Sequence, residues 1–238
     1  MNLREAWDAQ AEAWVRFVRY PAGDRTNLRF NLPRFLALVP PPGRRTLDLG
    51  CGEGRLGAEL QQLGHRIIGV DSSPAMVEAA SEFIEAAVAD ATALPFEDAA
   101  FDLVAAFMSL QDMDDLDGAV QEAARVLEPG GRFCFNVLHP IASAGSKESR
   151  ELDSAFTVSS YFEQQRHDDV VERNGHRVVF SYIHRPLEAD ARALEAAGFF
   201  IEALREPRPP ERYLNSDPRA RRFRVPLFVH LRAIKPKA

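Results

Sequence analysis

The chain has 238 residues, of which 46% are hydrophobic and 27% charged, a composition typical of a globular protein. Its 29 basic and 35 acidic residues give a net charge of −6, which argues against a nucleic-acid partner because binding phosphates needs a basic face. No apolar run reaches about 18 residues, and the first residues lack the apolar core of a secretory signal. We therefore expect a cytoplasmic protein without a membrane segment.

The cysteines and histidines give no sign of a metal. Cys51 and Cys134 fit a reducing compartment, and no group of Cys and His residues has the spacing of a zinc site. We expect no metal, a small-molecule partner rather than a nucleic acid or a membrane, and a monomer or homodimer.

Two helical patterns open the chain. Apolar residues recur at helical spacing over 3–20, where Trp7 and Trp14 fall near one face, and again over 28–39. The segment Pro40-Pro-Pro-Gly43 ends the second pattern, because proline cannot continue a helix. The spacing predicts an N-terminal helical cap over residues 1–43.

From residue 44 the pattern changes to strands that alternate with helices. Such strands pair in parallel through right-handed crossovers, which predicts a doubly wound α/β sheet. Ser73 and Pro74 are typical of a helix start, and Pro129-Gly130-Gly131 of a helix end. The predicted strands are 45–49, 66–70, 86–89, 101–107 and 132–138, and the predicted helices run from the glycine-rich turn to 63, from 73 to 83 and from 116 to 127.

The alternation stops after His139. Residues 142–174 look polar and irregular apart from Tyr161-Phe162, and a basic cluster at 219–224 is interpreted as a solvated loop. A strand at 178–183, a helix at 187–197 and strands at 199–204 and 225–234 complete the pattern. The last two strands suggest an antiparallel pair that closes the sheet.

The predicted sheet brings several loops to one rim. Ligands of doubly wound sheets bind beyond the carboxyl ends of the strands. The residues expected at this rim are the turn 48–54, Asp71, Asp90, Phe107 and His139.

The glycine-rich turn satisfies two kinds of nucleotide motif. Gly52, Gly54 and Gly57 have the spacing of the dinucleotide fingerprint, with Asp71 about 20 residues further on, so a NAD-dependent oxidoreductase is an alternative. A dinucleotide places two phosphates on the turn, whereas a ligand with an ammonium and a sulfonium favours an acid there. Asp48 is such an acid, two residues before Gly50.

Two further acids end the next two strands. Asp71 can accept both hydroxyls of a ribose, or it can cap the helix that begins at Ser73. Asp90 can accept from the amino group of an adenine. Three acids on successive strand ends favour a cationic nucleoside over a dinucleotide.

Four segments carry a family resemblance: LDLGCGEG, GVDSSPAMV, ADATALPFEDAAFDLV and ARVLEPGGRF. Together they resemble the class I S-adenosylmethionine-dependent methyltransferases, in the small-molecule group that includes the ubiquinone/menaquinone-type enzymes. The resemblance covers residues 44–139. It implies a Rossmann-like seven-stranded sheet in the order 3-2-1-4-5-7-6 with strand 7 antiparallel, and S-adenosylmethionine as methyl donor, with S-adenosylhomocysteine as product.

The resemblance also assigns roles around the cofactor. It gives Asp48, Gly50 and Gly52 to the methionine moiety, Asp71 to the ribose, and Asp90 with Ala91 to the adenine. Met76 is expected to pack against the adenine ring or to fill the core. Phe107, Met108 and Gln111, which follow the fourth strand, are expected to lie beside the sulfonium or only to pack in the core. The expected cofactor-binding residues are Asp48, Gly50, Cys51, Gly52, Gly54, Asp71, Ser72, Met76, Asp90, Ala91, Thr92, Phe107, Met108 and Gln111.

Methyl transfer is an in-line displacement that needs a general base only when the acceptor arrives protonated. His139 is the candidate base or substrate contact, or else a loop histidine fixed by Pro140. Trp7, Tyr20 and Tyr161 are candidate substrate contacts, although the tryptophan also suits a core. No substrate-specific motif is recognised, and a non-catalytic cofactor-binding protein is a further alternative.

We predict one methyltransferase domain over 1–238. Its parts are the helical cap 1–43, a cofactor-binding core 44–139, a substrate-cover insertion 140–184, and a C-terminal helix and strand pair 185–238.

Overall fold

The computed structural model describes residues 1–20, 24–147, 155–173, 175–216 and 225–237. The basic cluster at 219–224 lies outside the described residues, as does part of the predicted insertion. The strands, in chain order, are β1 Thr46–Leu49, β2 Ile67–Asp71, β3 Glu85–Val88, β4 Phe101–Phe107, β5 Leu127–Leu138, β6 Gly145–Lys147, β7 Phe156–Val158, β8 Gln165–Arg173, β9 His176–His184, β10 Phe200–Arg205 and β11 Phe228–Ile234.

Seven of these strands form one twisted sheet in the order β3-β2-β1-β4-β5-β11-β10. The five strands from β3 to β5 pair in parallel, whereas β11 is antiparallel to both β5 and β10. With β10 and β11 as the sixth and seventh strands, this is the predicted order 3-2-1-4-5-7-6, and the predicted fold class is confirmed. Two hairpins, β6-β7 and β8-β9, stand outside the sheet.

Helices cover both faces of the sheet. They are α1 Leu3–Arg19, α2 Leu32–Leu36, α3 Arg55–Gln62, α4 Pro74–Ala80, α5 Leu116–Val126, α6 Pro140–Ser143, α7 Leu187–Ala196 and α8 Glu211–Ser216, with a π-helical turn at Asn27–Asn31 and a 3₁₀ turn at Leu110–Asp112. Side chains of β4 alternate between the two faces: Val104 packs with α5 and α7, whereas Leu103 packs with α2 and α3. None of the helices in the described ranges is long and apolar enough to cross a membrane.

The second predicted helix, 28–39, is interrupted. A wide turn at Asn27–Asn31, in which Leu32 N–H donates to Asn27 O, precedes the short helix α2. Pro33 has no N–H to donate to the carbonyl four residues earlier, so the ladder widens there.

The polar stretch 142–174 was wrongly predicted to be irregular. Residues 165–173 form β8, which pairs along its whole length with β9. Strand β5 likewise begins at Leu127, five residues before the predicted start, because Leu127 pairs with Phe101 before a register shift at Pro129-Gly130-Gly131.

Candidate active site

The glycine-rich turn follows β1 at the carboxyl edge of the sheet. Gly50 and Gly52 have φ angles of 70° and 53°, in the region where side chains are strained. A Cβ on Gly50 would also lie 2.6 Å from Cβ of Ser109, whereas a Cβ on Gly52 would meet nothing within 4 Å. The turn is therefore packed on one side and open at Gly52.

Asp48 is the most unusual charged group at this edge. Its side chain is 1% exposed, and neither carboxylate oxygen has a hydrogen-bond partner among the described residues. Burial raises the pKa of Asp48 to about 8; the nearby N–H of Gly57 opposes this shift, and the charges of Asp71 and Glu53 add to it. A buried carboxylate left in this state favours a cationic partner.

Asp71 ties the turn to the next helix. Its Oδ2 accepts from Gly52 N–H at 2.9 Å and its Oδ1 accepts from Ser73 N–H at 3.0 Å. Burial raises the pKa of Asp71, and these backbone donors partly offset that effect. The capping role considered from the sequence is thus present, and each oxygen retains a lone pair for a further donor.

Asp90 lies at the next strand end and is more exposed. Its Oδ1 accepts from the N–H and the hydroxyl of Thr92 at 2.9 and 2.7 Å, and these bonds hold the pKa of Asp90 below its usual value. Arg4 of α1 approaches Asp90 Oδ2 at 3.6 Å.

The loop after β4 forms another wall. Met108 has a φ of 59°, a conformation that costs about 1 kcal/mol or more for a side chain of this size, and its N–H donates to both oxygens of Asn136. Gln111 Oε1 accepts from Leu138 N–H at 2.7 Å. Burial raises the pKa of the adjacent Asp112 well above its usual value, with Gln111 opposing the shift.

Helix α1 and the hairpin β8-β9 close over this edge. Trp7 Nε1 donates to Ser181 O at 2.8 Å, and Trp14 Nε1 donates to Glu53 Oε2 at 2.9 Å. The Trp14 ring meets Phe180 edge to face at 5.4 Å between centroids. Because Glu53 belongs to the glycine-rich turn, Trp14 links the cover directly to the base of the site.

A cavity of about 690 Å³ lies between the cover and the sheet edge. It has the size of a small-molecule site. Thirteen of the fourteen predicted cofactor residues line it, namely Asp48, Gly50, Cys51, Gly52, Asp71, Ser72, Met76, Asp90, Ala91, Thr92, Phe107, Met108 and Gln111. Trp7, from the predicted substrate set, lines it as well.

Four predicted site residues do not line the cavity. Gly54, at a φ of 86°, begins α3 and packs against Ala80. The Tyr20 ring contacts His176 at 4.9 Å between centroids, and Tyr161 O lies 2.9 Å from His184 Nε2. Tyr20 and Tyr161 thus contact the two ends of β9, at the margins of the cover.

His139, the predicted base, is also outside the lining. It is 4% exposed; its Nε2 lies 2.9 Å from Glu206 Oε1, and its Nδ1 accepts from Ile141 N–H at 3.2 Å. Burial lowers its pKa, and Glu206 partly offsets the shift. Both ring nitrogens therefore serve the junction after β5, because the side chain caps α6 rather than facing the cavity.

Several lining residues were missed from the sequence. Glu53 lies within the glycine-rich motif, and Ser109 follows the fourth strand directly after Met108. Their sequence positions next to predicted site residues could have identified them as lining residues. Asp112, Asp169, Phe180 and Tyr182 reach the cavity from the loop after β4 and from the hairpin. The latter three come from elements whose position depends on tertiary packing, so no local motif marks them.

Comparisons with known proteins agree with this architecture. Residues 47–135 match the family described as a methyltransferase domain. A demethylmenaquinone methyltransferase of Clavibacter sepedonicus is 37% identical over 103 residues, 41% of this chain and 42% of that protein. An O-methyltransferase of Aspergillus sclerotiorum is 30% identical over 172 residues, 67% of this chain and 65% of that protein.

A solved structure matches over a larger share of the chain. An S-adenosylmethionine-dependent methyltransferase from Mesorhizobium loti superposes with a TM-score of 0.70 at 25% identity, over 85% of this chain and 96% of that one. By contrast, the chain spans about two fifths of the length of the demethylmenaquinone methyltransferase it matches.

Proposed function

We propose that this chain, whose residues 47–135 match a methyltransferase-domain family, is a class I S-adenosylmethionine-dependent methyltransferase and transfers a methyl group from S-adenosylmethionine to a small-molecule acceptor. The observation that carries the proposal is Asp48. It is a buried carboxylate without a hydrogen-bond partner in the described part of the chain, and it lines the cavity beside the glycine-rich turn.

The residues present fit the cofactor of this family. Asp48 supplies negative charge for the ammonium of the methionine moiety, and the open face of Gly52 lets the ligand approach the backbone. Asp71 is fixed by two backbone N–H groups and keeps lone pairs for ribose hydroxyls. We assign the other ten lining positions of the predicted set, and the flanking Gly54, to the same site.

The competing dinucleotide function is disfavoured by charge. A pyrophosphate on this turn would lie next to Asp48, whose pKa burial raises to about 8, with Asp71 and Glu53 nearby. The burial that disfavours the ionised form of Asp48 also disfavours two phosphate charges at this turn, and the three carboxyl groups offer no positive charge to offset them.

The chain's own contribution to methyl transfer is binding, orientation and the exclusion of water. The bound cofactor supplies an activated methyl group and a neutral leaving group. The cover formed by Trp7, Trp14 and Phe180 removes solvent from the reacting groups, and the turn and the loop after β4 fix their relative positions. In this assignment His139 fixes the junction after β5, outside the cavity lining, and does not act as the base.

The remaining properties are proposed from composition and fold. We propose a cytoplasmic protein that acts as a monomer or homodimer and binds no nucleic acid, in line with its net charge of −6. The division into cap 1–43, core 44–139, insertion 140–184 and C-terminal part 185–238 agrees with where the cover and the sheet elements lie, and we retain it.

Titration calorimetry with S-adenosylhomocysteine and with NADH tests the cofactor assignment. We expect S-adenosylhomocysteine to bind with micromolar or tighter affinity and NADH to show no heat of binding. Binding of NADH alone would reverse the assignment. Binding of S-adenosylhomocysteine without transfer to any acceptor would instead support the non-catalytic alternative.

A further inference from the structure

The hairpin β8-β9 presents one face to the cavity. Its residues alternate, so odd-numbered positions of β8 and even-numbered positions of β9 share a face. Asp169, Phe180 and Tyr182 of that face line the cavity. Asp168 and Ser181 lie on the opposite face and bond to each other at 2.6 Å.

Tyr182 is fixed by both a ring contact and a hydrogen bond within the hairpin. Its side chain is 7% exposed, and its ring stacks on His167 with centroids 5.1 Å apart and planes at 14°. Its hydroxyl donates to Asp169 Oδ2 at 3.0 Å. Because the only hydroxyl proton is engaged with Asp169, the oxygen offers its lone pairs to a donor inside the cavity.

The hydrogen-bonded residues Tyr182 and Asp169 differ in solvent exposure. Tyr182 is buried within the cavity wall, whereas Asp169 is an exposed residue. The pair therefore joins the interior of the cavity to bulk water through one hydrogen bond. Asp112, from the loop after β4, is another acid of the same cavity lining.

We propose that Tyr182 and Asp169 accept the proton of the methyl acceptor, a neutral hydroxyl compound with an aromatic or apolar body. This inference rests on the proposed methyltransferase function. The acceptor oxygen forms a bond to the methyl carbon as the carbon–sulfur bond breaks, and that electron pair stays on sulfur. The acceptor proton passes to Tyr182 Oη while the Tyr182 proton passes to Asp169 Oδ2, and Asp169 later releases it to water.

Tyr182 transmits the proton rather than holding a charge. Burial raises the pKa of Tyr182 far above its usual range, and Asp169 and Asp112 add to this effect. A phenolate is thus strongly disfavoured, and concerted transfer to Asp169 avoids forming one.

The lining favours a neutral acceptor. Burial raises the pKa of Asp48, Asp71 and Asp112, and the poor solvation that does so also disfavours an anionic acceptor. Phe180 and Trp14, in edge-to-face contact at 5.4 Å, offer an aromatic surface next to Tyr182. A hydroxyl on an aromatic ring satisfies both features.

Transfer of tritium from methyl-labelled S-adenosylmethionine to three probes tests the proposal. Catechol and hydroquinone carry a hydroxyl that must lose its proton, whereas isoquinoline accepts the methyl group on a neutral ring nitrogen that carries no proton and needs no base. In the full-length protein, Tyr182→Phe and Asp169→Asn should each lower kcat for catechol and hydroquinone by about 10- to 100-fold. The rate for isoquinoline should change less than about 3-fold.

Asp168→Asn is the matched control, because it makes the same chemical change one residue away on the opposite face. It should leave all three rates within about 2-fold of the wild type. Calorimetry with S-adenosylhomocysteine should give the same affinity for wild type, Tyr182→Phe and Asp169→Asn, which separates this proposal from cofactor binding.

Two results would overturn the relay. One is an equal loss of rate for the hydroxyl probes and for isoquinoline in Tyr182→Phe, which would make Tyr182 a packing residue. The other is a wild-type protein that binds S-adenosylhomocysteine but methylates neither hydroxyl probe. Failure to bind S-adenosylhomocysteine at all would instead contradict the proposed function.

Discussion

At the scale of single residues, the ionised form of Asp48 lowers the stability of the ligand-free protein and favours the binding of a cationic ligand. A carboxyl group that is 1% exposed and lacks a hydrogen-bond partner among the described residues destabilises the ligand-free protein when it ionises. The same ionised group is what a cationic ligand would bind. Binding residues of this kind are expected to reduce the free energy of unfolding.

Asp48→Asn should therefore stabilise the ligand-free protein in a pH-dependent way. The folded pKa of about 8 lies above the unfolded value near 4, so the native state retains a proton that the unfolded chain has lost. Stability from this proton is present at low pH and is lost as the pH rises through 8. The variant should gain on the order of 1–3 kcal/mol over wild type at pH 8 and little at pH 4.

Urea denaturation at several pH values measures this gain. Asp98→Asn is a suitable control, because Asp98 is an exposed carboxylate that pairs with Arg125. A gain that did not grow between pH 5 and pH 8 would remove Asp48 as the titrating group.

Asp71 has two roles that one thermodynamic cycle can separate. Asp71→Ala should weaken S-adenosylhomocysteine binding about tenfold or more, through loss of a charge-assisted bond to the ribose. The wild type should show a similar loss with the 2′-deoxy analogue, and the variant should no longer distinguish the two ligands. A variant that still prefers S-adenosylhomocysteine over the analogue, with its fold intact by circular dichroism, would leave Asp71 only its bonds to Gly52 and Ser73.

At the scale of elements, an ion-pair cluster fixes the start of α3 to the segment before the π-helical turn. Arg55 Nη1 lies 2.6 Å from Asp24 Oδ2, and Arg55 Nη2 lies 2.9 Å from Glu53 Oε1. The three side chains are between 9% and 14% exposed, so solvent screens them little. Trp14 adds α1 to this cluster through Glu53.

Arg55→Met should destabilise the protein by about 3–5 kcal/mol, because it leaves two buried acids without their cation. Adding Asp24→Asn should recover part of the loss, which denaturation of the single and double variants would reveal. Arg16→Met, which breaks an exposed pair with Glu12, should change stability by less than about 0.5 kcal/mol. Equal effects of Arg55→Met and Arg16→Met would show that the ion-pair cluster does not stabilise the contact between α3 and the segment before the π-helical turn.

Elements with a local signature were predicted well, and the others were not. The parallel strands and the turn around Gly50 and Gly52 follow from short motifs and alternation, so both appeared at nearly their true positions. Strand β8 was missed because its solvent face is charged and its cavity face includes Asp169, so its alternation is not one of apolar and polar residues. Its pairing with β9 and its packing on α1 decide its structure instead.

At the scale of the whole molecule, the sheet order is what assembles the site. The parallel strands β1, β2 and β4 bring their carboxyl ends to one edge, and this places Asp48, Asp71 and the loop after β4 around one cavity. The rim was predictable for that reason. The cover was not, because the positions of Tyr182 and Phe180 depend on how a hairpin from the insertion docks on α1.

A crystal structure of the protein with S-adenosylhomocysteine tests the central claim most directly. The ligand should lie in the cavity over the turn from Gly50 to Gly54, with its ammonium near Asp48 and its ribose hydroxyls on Asp71. Its sulfur should face the loop after β4. A ligand bound elsewhere, or one that leaves Asp48 still without a partner, would contradict the assignment of this cavity as the methyl-donor site.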